Sequence, residues 1–83
     1  MPFIVYILYS ASADKHYVGQ TENIQDRLFR HNNSGSKSTK FANDWKLVYT
    51  EFFSTRNEAV KREAAIKNKK SREYIEFLIS SVG

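Results

Sequence analysis

Cysteine is missing from all 83 positions. Disulfides and thiolate metal sites are excluded, while the redox compartment is left undetermined. No apolar run approaches the roughly 20 residues of a membrane-spanning helix, so no membrane partner is expected. Residues 3–9 followed by Ala11-Ser12-Ala13 imitate a secretory signal. They have no basic leader, the run is short, and two tyrosines interrupt it, so the expected location is cytoplasmic. There is no internal repeat and no second domain, which predicts a single domain over residues 1–83. A chain this short buries only about 60–65% of the surface it exposes when unfolded. A deep core with an enclosed pocket is therefore excluded, and any site has to be an open groove.

Acidic residues are also in the minority, 9 against 13 lysines and arginines, for a net charge of +4. The excess points to a polyanionic partner, nucleic acid first, although many small basic domains have no such role. Its distribution says more. Lys61, Arg62, Lys67, Lys69, Lys70 and Arg72 fall within residues 61–72, where Glu63 is the only acid. Arg27, Arg30, Lys37, Lys40 and Lys46 form a second scatter, broken by Asp26 and Asp44. At 41% hydrophobic and 14% aromatic residues, the chain has the composition of a globular protein.

Residues 3–9 are β-branched and aromatic without clean alternation, which predicts a central strand covered on both faces. A polar loop at 10–15 leads to a second short strand at 16–20, the two forming a hairpin. Asn23 is a helix cap with Asp26 in the first turn, and the helix runs to Asn32 or Asn33. Residues 34–40 are small and polar and read as a flexible loop. Trp45, Leu47 and Tyr49 alternate within a third strand over 45–53. Ser54 or Thr55 caps a helix over 56–69, and Ser71 caps a last one over 72–81. The order β-β-α-β-α-α predicts an α+β fold: a small three-stranded antiparallel sheet flanked by helices.

Several residues fit a purely structural pattern poorly. At about 100° per residue, Ile24, Leu28 and His31 share one face of the first helix, with Arg27 at its edge. A buried, hydrogen-bonded imidazole explains His31 structurally. An arginine one turn earlier supplies a fork for phosphate oxygens beside a group that moves protons near neutral pH. On the second helix, Ala59, Val60, Ala64 and Ile66 define an apolar arc, and Glu63 falls inside it. A carboxylate facing the sheet is paired, with Arg27 as a candidate, protonated, or bound to a cation; a lone carboxylate suits Mg²⁺. Gly19 interrupts a strand and marks either a bulge or the close approach of another backbone, such as a nucleic-acid strand. Tyr6 and Tyr17 lie mid-strand, where packing is the commonest role. Lys37 and Lys40 in the polar loop can reach phosphates or simply be solvated.

Together these residues resemble the GIY-YIG nuclease superfamily, and in particular its small stand-alone members. The first motif stands as Ile4-Val5-Tyr6, with isoleucine in place of glycine, and the second as Tyr17-Val18-Gly19. Arg27 and His31 follow on the next helix, and the acidic motif stands as Arg62-Glu63-Ala64-Ala65-Ile66-Lys67. The resemblance implies an endonuclease that nicks DNA phosphodiester bonds with one Mg²⁺ or Mn²⁺ ion. Glu63 would hold the metal. Arg27 would bind the scissile phosphate, Tyr6, Tyr17 and His31 would handle the attacking water, and Gly19, Lys37 and Lys40 would contact the substrate. DNA is the expected partner ahead of RNA. Little surface remains for base readout, so recognition would be structure-directed and any sequence specificity supplied by a protein partner. Many family nucleases also carry an asparagine well after the glutamate. Residues 74–78 contain none, and Asn68 comes too early. The alternative reading is a catalytically weak or inactive nucleic-acid-binding module.

Overall fold

The computed structural model describes residues 2–33, 39 and 41–81. Strand β1 (Phe3–Ser10) pairs antiparallel with both β2 (Lys15–Thr21) and β3 (Trp45–Phe53), giving the sheet order β2-β1-β3. Helices α1 (Ile24–Asn33), α2 (Arg56–Asn68) and α3 (Arg72–Ser81) complete the expected order β-β-α-β-α-α.

The missing alternation in β1 has its cause in the two faces of the sheet. Val5 and Ile7 pack with Val18, with Ala59 and Ile66 of α2 and with Leu78 of α3. Ile4, Tyr6 and Leu8 point the other way and pack with Trp45 and with Ile24 and Leu28 of α1. Side chains on both faces of β1 leave water, so each position favours an apolar or aromatic residue. β1 extends through Ser10, one residue beyond the expected end. The Ser10 side chain is buried and donates to Asp44 Oδ1 at 2.6 Å, which satisfies its hydroxyl inside the structure.

The caps place the helices. Asn23 Oδ1 accepts from the Asp26 amide at 3.0 Å, and Ser71 Oγ accepts from the Tyr74 amide at 3.1 Å. Thr55, rather than Ser54, caps α2 and forms a capping box with Glu58. These bonds satisfy amides that the first turn of a helix leaves without partners.

The apolar arc expected on α2 is only half correct. Ala59 and Ile66 are buried, but Val60 and Ala64 are exposed. The face turned inward is Ala59, Arg62, Glu63 and Ile66, at i, i+3, i+4 and i+7. A short helix on a small sheet thus directs two charged residues toward the rest of the protein. Among the described residues, no helix is long and apolar enough to cross a membrane.

Candidate active site

Tyr6 is the centre of the site because it occupies the central strand. It stands opposite Gly19 in the β1–β2 register, and no bulge occurs there. The bulge in the sheet lies instead between Ile7 and Leu8, on the β3 side. The group that comes close to Gly19 is the ring of Tyr6. A Cβ on Gly19 would meet Tyr6 Oη at 2.6 Å, Tyr6 Cζ at 2.7 Å and Tyr17 Cε2 at 3.0 Å. The absent side chain is what admits the Tyr6 hydroxyl.

Tyr6 is buried and its hydroxyl meets His31 Nε2 at 3.0 Å. His31 is buried as well, and its Nδ1 meets Thr39 Oγ1 at 2.9 Å. Thr39 is in turn fully buried, and its carbonyl accepts from Trp45 Nε1 at 2.9 Å. A Tyr6–His31–Thr39 chain therefore runs from the sheet through α1 to the connection before β3. Burial first and the Arg27 charge second push the His31 pKa below its ordinary value, so the imidazole is neutral at pH 7. A neutral imidazole has one donor and one acceptor nitrogen, and the chain is satisfied in either direction.

Burial also drives the Tyr6 pKa well above the usual phenol range; the neighbouring Tyr17 and Glu63 push it the same way and Arg27 opposes them. Those influences place Tyr17, Arg27 and Glu63 in the electrostatic surroundings of one hydroxyl. The rings of Tyr6, Tyr17 and His31 are grouped directly. Tyr17 lies 4.7 Å from His31 and 6.2 Å from Tyr6, centroid to centroid. Lys67 Nζ sits 5.8 Å from the Tyr17 ring centre and donates to Glu63 Oε2 at 2.6 Å.

Arg27 is exposed and has no salt-bridge partner among the described residues. The expected candidate pairing of Arg27 with Glu63 is corrected: Glu63 pairs with Lys67, one turn along the same helix. The sequence suggests why, since an i,i+4 glutamate–lysine pair is available without bridging two elements. Lys37 and Lys40 lie outside the described residues.

Sequence reasoning missed two contributors. Thr39 sits in a polar stretch with no periodicity, so nothing in the sequence singles it out. Arg62 was legible, being three residues from Ala59 on a helix. It forms two hydrogen bonds to Glu51 at 2.9 and 3.0 Å and one to the Tyr74 hydroxyl at 3.2 Å. Tyr49 donates to the same Glu51 carboxylate. The cluster joins β3, α2 and α3.

No group of three or more His, Asp or Glu side chains suited to a metal ion occurs among the described residues. The donor set is instead a single half-buried carboxylate, Glu63, whose side chain is 20% exposed. That fits an ion that keeps most of its own water and binds through few protein oxygens, as Mg²⁺ and Mn²⁺ do. It does not fit zinc, which needs three or four protein ligands.

One antiparallel sheet of order β2-β1-β3 with elements in the order β-β-α-β-α-α matches the GIY-YIG nuclease fold. A family model described as the GIY-YIG catalytic domain matches residues 2–75, and the chain belongs to that family. Among its relatives, a UPF0213 protein of Clostridium perfringens is 41% identical over 77 residues, 92% of this chain and 82% of the relative. A UPF0213 protein of Staphylococcus saprophyticus is 46% identical over 52 residues, 61% of this chain and 63% of the relative. One from Streptococcus pneumoniae is 38% identical over 64 residues, 76% of this chain and 65% of the relative. The match thus spans less than two thirds of the length of some of these relatives. No solved structure matches.

Proposed function

We propose that the chain is a metal-dependent endonuclease that nicks DNA phosphodiester bonds, directed by structure more than by sequence. The observation that carries the proposal is the gathering of His31 and Tyr17 around the buried Tyr6 hydroxyl, with Glu63 tied to Tyr17 through Lys67 and the charge of exposed Arg27 felt at the same hydroxyl. In this reading Arg27 binds the non-bridging oxygens of the scissile phosphate and offsets the negative charge that grows on them in the transition state. Tyr6, kept protonated by its surroundings and fixed by His31, orients the attacking water. Tyr17 is half-buried, so its ring is reachable from solvent and lies between Tyr6 and Lys67. Gly19 keeps the space open for Tyr6, and Lys37 and Lys40 remain candidates for phosphate contact. Glu63 would hold the single ion, which when bound supplies charge neutralisation at the phosphate.

A second reading, binding without cleavage, is favoured by one observation. Glu63 Oε2 is already engaged by Lys67 at 2.6 Å. Glu63→Gln separates the two readings. Nicking of supercoiled DNA and of branched oligonucleotides is followed with Mg²⁺ and with Mn²⁺, alongside binding in EDTA. Loss of metal-dependent nicking with binding retained is the expected result. Wild-type binding with no cleavage of any of these substrates would leave only the binding module.

A further inference from the structure

A groove of about 540 Å³ runs between β2 and the turn that joins α2 to α3. It shares Tyr17 and Lys67 with the candidate active site and continues past them to Lys15, Lys70 and Arg72. Four cationic side chains therefore line it, together with His16. Its one acidic residue, Asp14, is bound by Arg72 at 2.5 and 3.2 Å, and that contact holds the Asp14 carboxyl down at about 2. The negative charge in the wall is thus already matched. Lys15 and Lys70 have no ion-pair partner among the described residues.

Lys70 carries a second signal. It follows the C-cap of α2 with φ +48°, in the left-handed region. Glycine is the usual residue just past a helix C-cap because a Cβ is disfavoured there. Lysine at this position costs local stability, and its side chain is exposed, so packing does not offset the cost. What the position gains from lysine over glycine is a cation at the mouth of the groove.

We propose that this groove is a second backbone-binding subsite, which takes the sugar–phosphate chain of a DNA strand as it leaves the candidate active site. The proposal rests on the reading of that site as nucleic-acid-directed, and it names a path for the strand: past Tyr17 and Lys67 toward Lys70 and Lys15. The contacts are to phosphates, so they add affinity and register without base preference.

The test is fluorescence anisotropy with a labelled single-stranded DNA oligonucleotide and the full chain, in EDTA, over a range of salt concentrations. Lys70→Gly and Lys15→Gln are compared with Lys46→Gln, an exposed lysine on β3 outside the groove. Each groove variant is expected to weaken binding several-fold at low salt and to lower the slope of log K against log salt by about 0.7, the single-strand value for one lost phosphate contact. Lys46→Gln should change both much less. Lys70→Gly should melt no lower than wild type, since glycine suits that backbone, and Lys15→Gln repeats the test without altering the α2–α3 turn. Unchanged affinity in both groove variants overturns the proposal, as does an equal loss in Lys46→Gln. Because binding is read without metal, failure of cleavage alone sinks the catalytic reading and leaves this one standing. Cleavage by wild type with binding unaltered in the groove variants sinks this one alone.

Discussion

Replacing Gly19 by alanine reverses the sign that local preference alone would give. In a strand, alanine is worth roughly 0.5–1 kcal/mol over glycine, because glycine loses more backbone entropy on folding. Here the new Cβ would sit 2.6 Å from Tyr6 Oη and 2.7 Å from Tyr6 Cζ, well inside van der Waals contact. The ring has little room to retreat, since Tyr6 is only 1% exposed and is tethered to His31 Nε2 at 3.0 Å. Forcing an extra methyl into such packing costs about 1–3 kcal/mol. Pulling the hydroxyl away from a buried imidazole costs a further ~1–3 kcal/mol. The net expectation is a loss of about 1–5 kcal/mol, read by urea denaturation through the fluorescence of Trp45, the chain's single and buried tryptophan. Tyr6→Phe removes the hydroxyl and also releases the ring from His31. The double variant should therefore lose less than the two single losses added together, by about 1 kcal/mol or more. If Gly19→Ala stabilises the protein, or if the two substitutions add without coupling, Gly19 is not the seat of the Tyr6 hydroxyl.

Two further perturbations address the charges around that hydroxyl. Arg27→Ala should lower the rate of phosphodiester cleavage by roughly 10²–10³-fold, the scale of removing one preorganised transition-state donor. Its melting temperature should scarcely change, because Arg27 is exposed and holds no ion pair among the described residues; cleavage at the wild-type rate would remove Arg27 from the mechanism. Acidification tests His31. Its pKa lies below the ordinary 6.5 in the folded protein, so the unfolded chain binds the proton more readily. The stability it contributes is complete above about 6.5 and is lost as pH falls through the folded value. His16 is shifted the same way, by burial and then by Arg72, whereas the lowered carboxylates Asp14, Asp44 and Glu51 act at more acidic pH. Wild type should therefore lose stability more steeply than His31→Asn between pH 7 and 5, and equal slopes would place the His31 ring outside the buried chain.

What the sequence disclosed follows from where its signals are local. The strand at Trp45–Phe53 and the helix at Arg72–Ser81 have the expected bounds, because alternation and capping are written within each element. His31 stood out because a histidine interrupted an apolar stripe, and its doubly hydrogen-bonded burial explains that interruption. Glu63 stood out in the same way, although the arc used to find it was drawn one position off. Val60 and Ala64 are apolar but exposed, while Arg62 is polar and turned inward. A helix with so weak an apolar stripe offers no unique rotation from sequence alone; the sheet and Glu51 set it. Thr39 and the seating of Tyr6 over Gly19 depend on contacts across 8 and 13 residues of chain respectively. Periodicity carries no information about such contacts.

The inward charges of α2 also show how a chain of this size can present a candidate metal-binding carboxylate without a deep core. Ala59 and Ile66 are the only fully buried residues of the helix among those described, and two apolar anchors on one line leave its roll about that line weakly determined. Arg62 fixes the roll. Its two bonds to Glu51 and its bond to Tyr74 tie the helix to β3 on one side and to α3 on the other. Half-buried and multiply bonded to a carboxylate, the guanidinium is fixed more firmly than a surface ion pair would be. Glu63 follows directly in sequence and is turned about 100° from Arg62, toward the side where its charge reaches Tyr6. The structural ion pair and the candidate metal ligand are thus adjacent residues with separate tasks. One sets the helix, and the other is presented by it on a rigid element, at the open face that a chain of this size can provide.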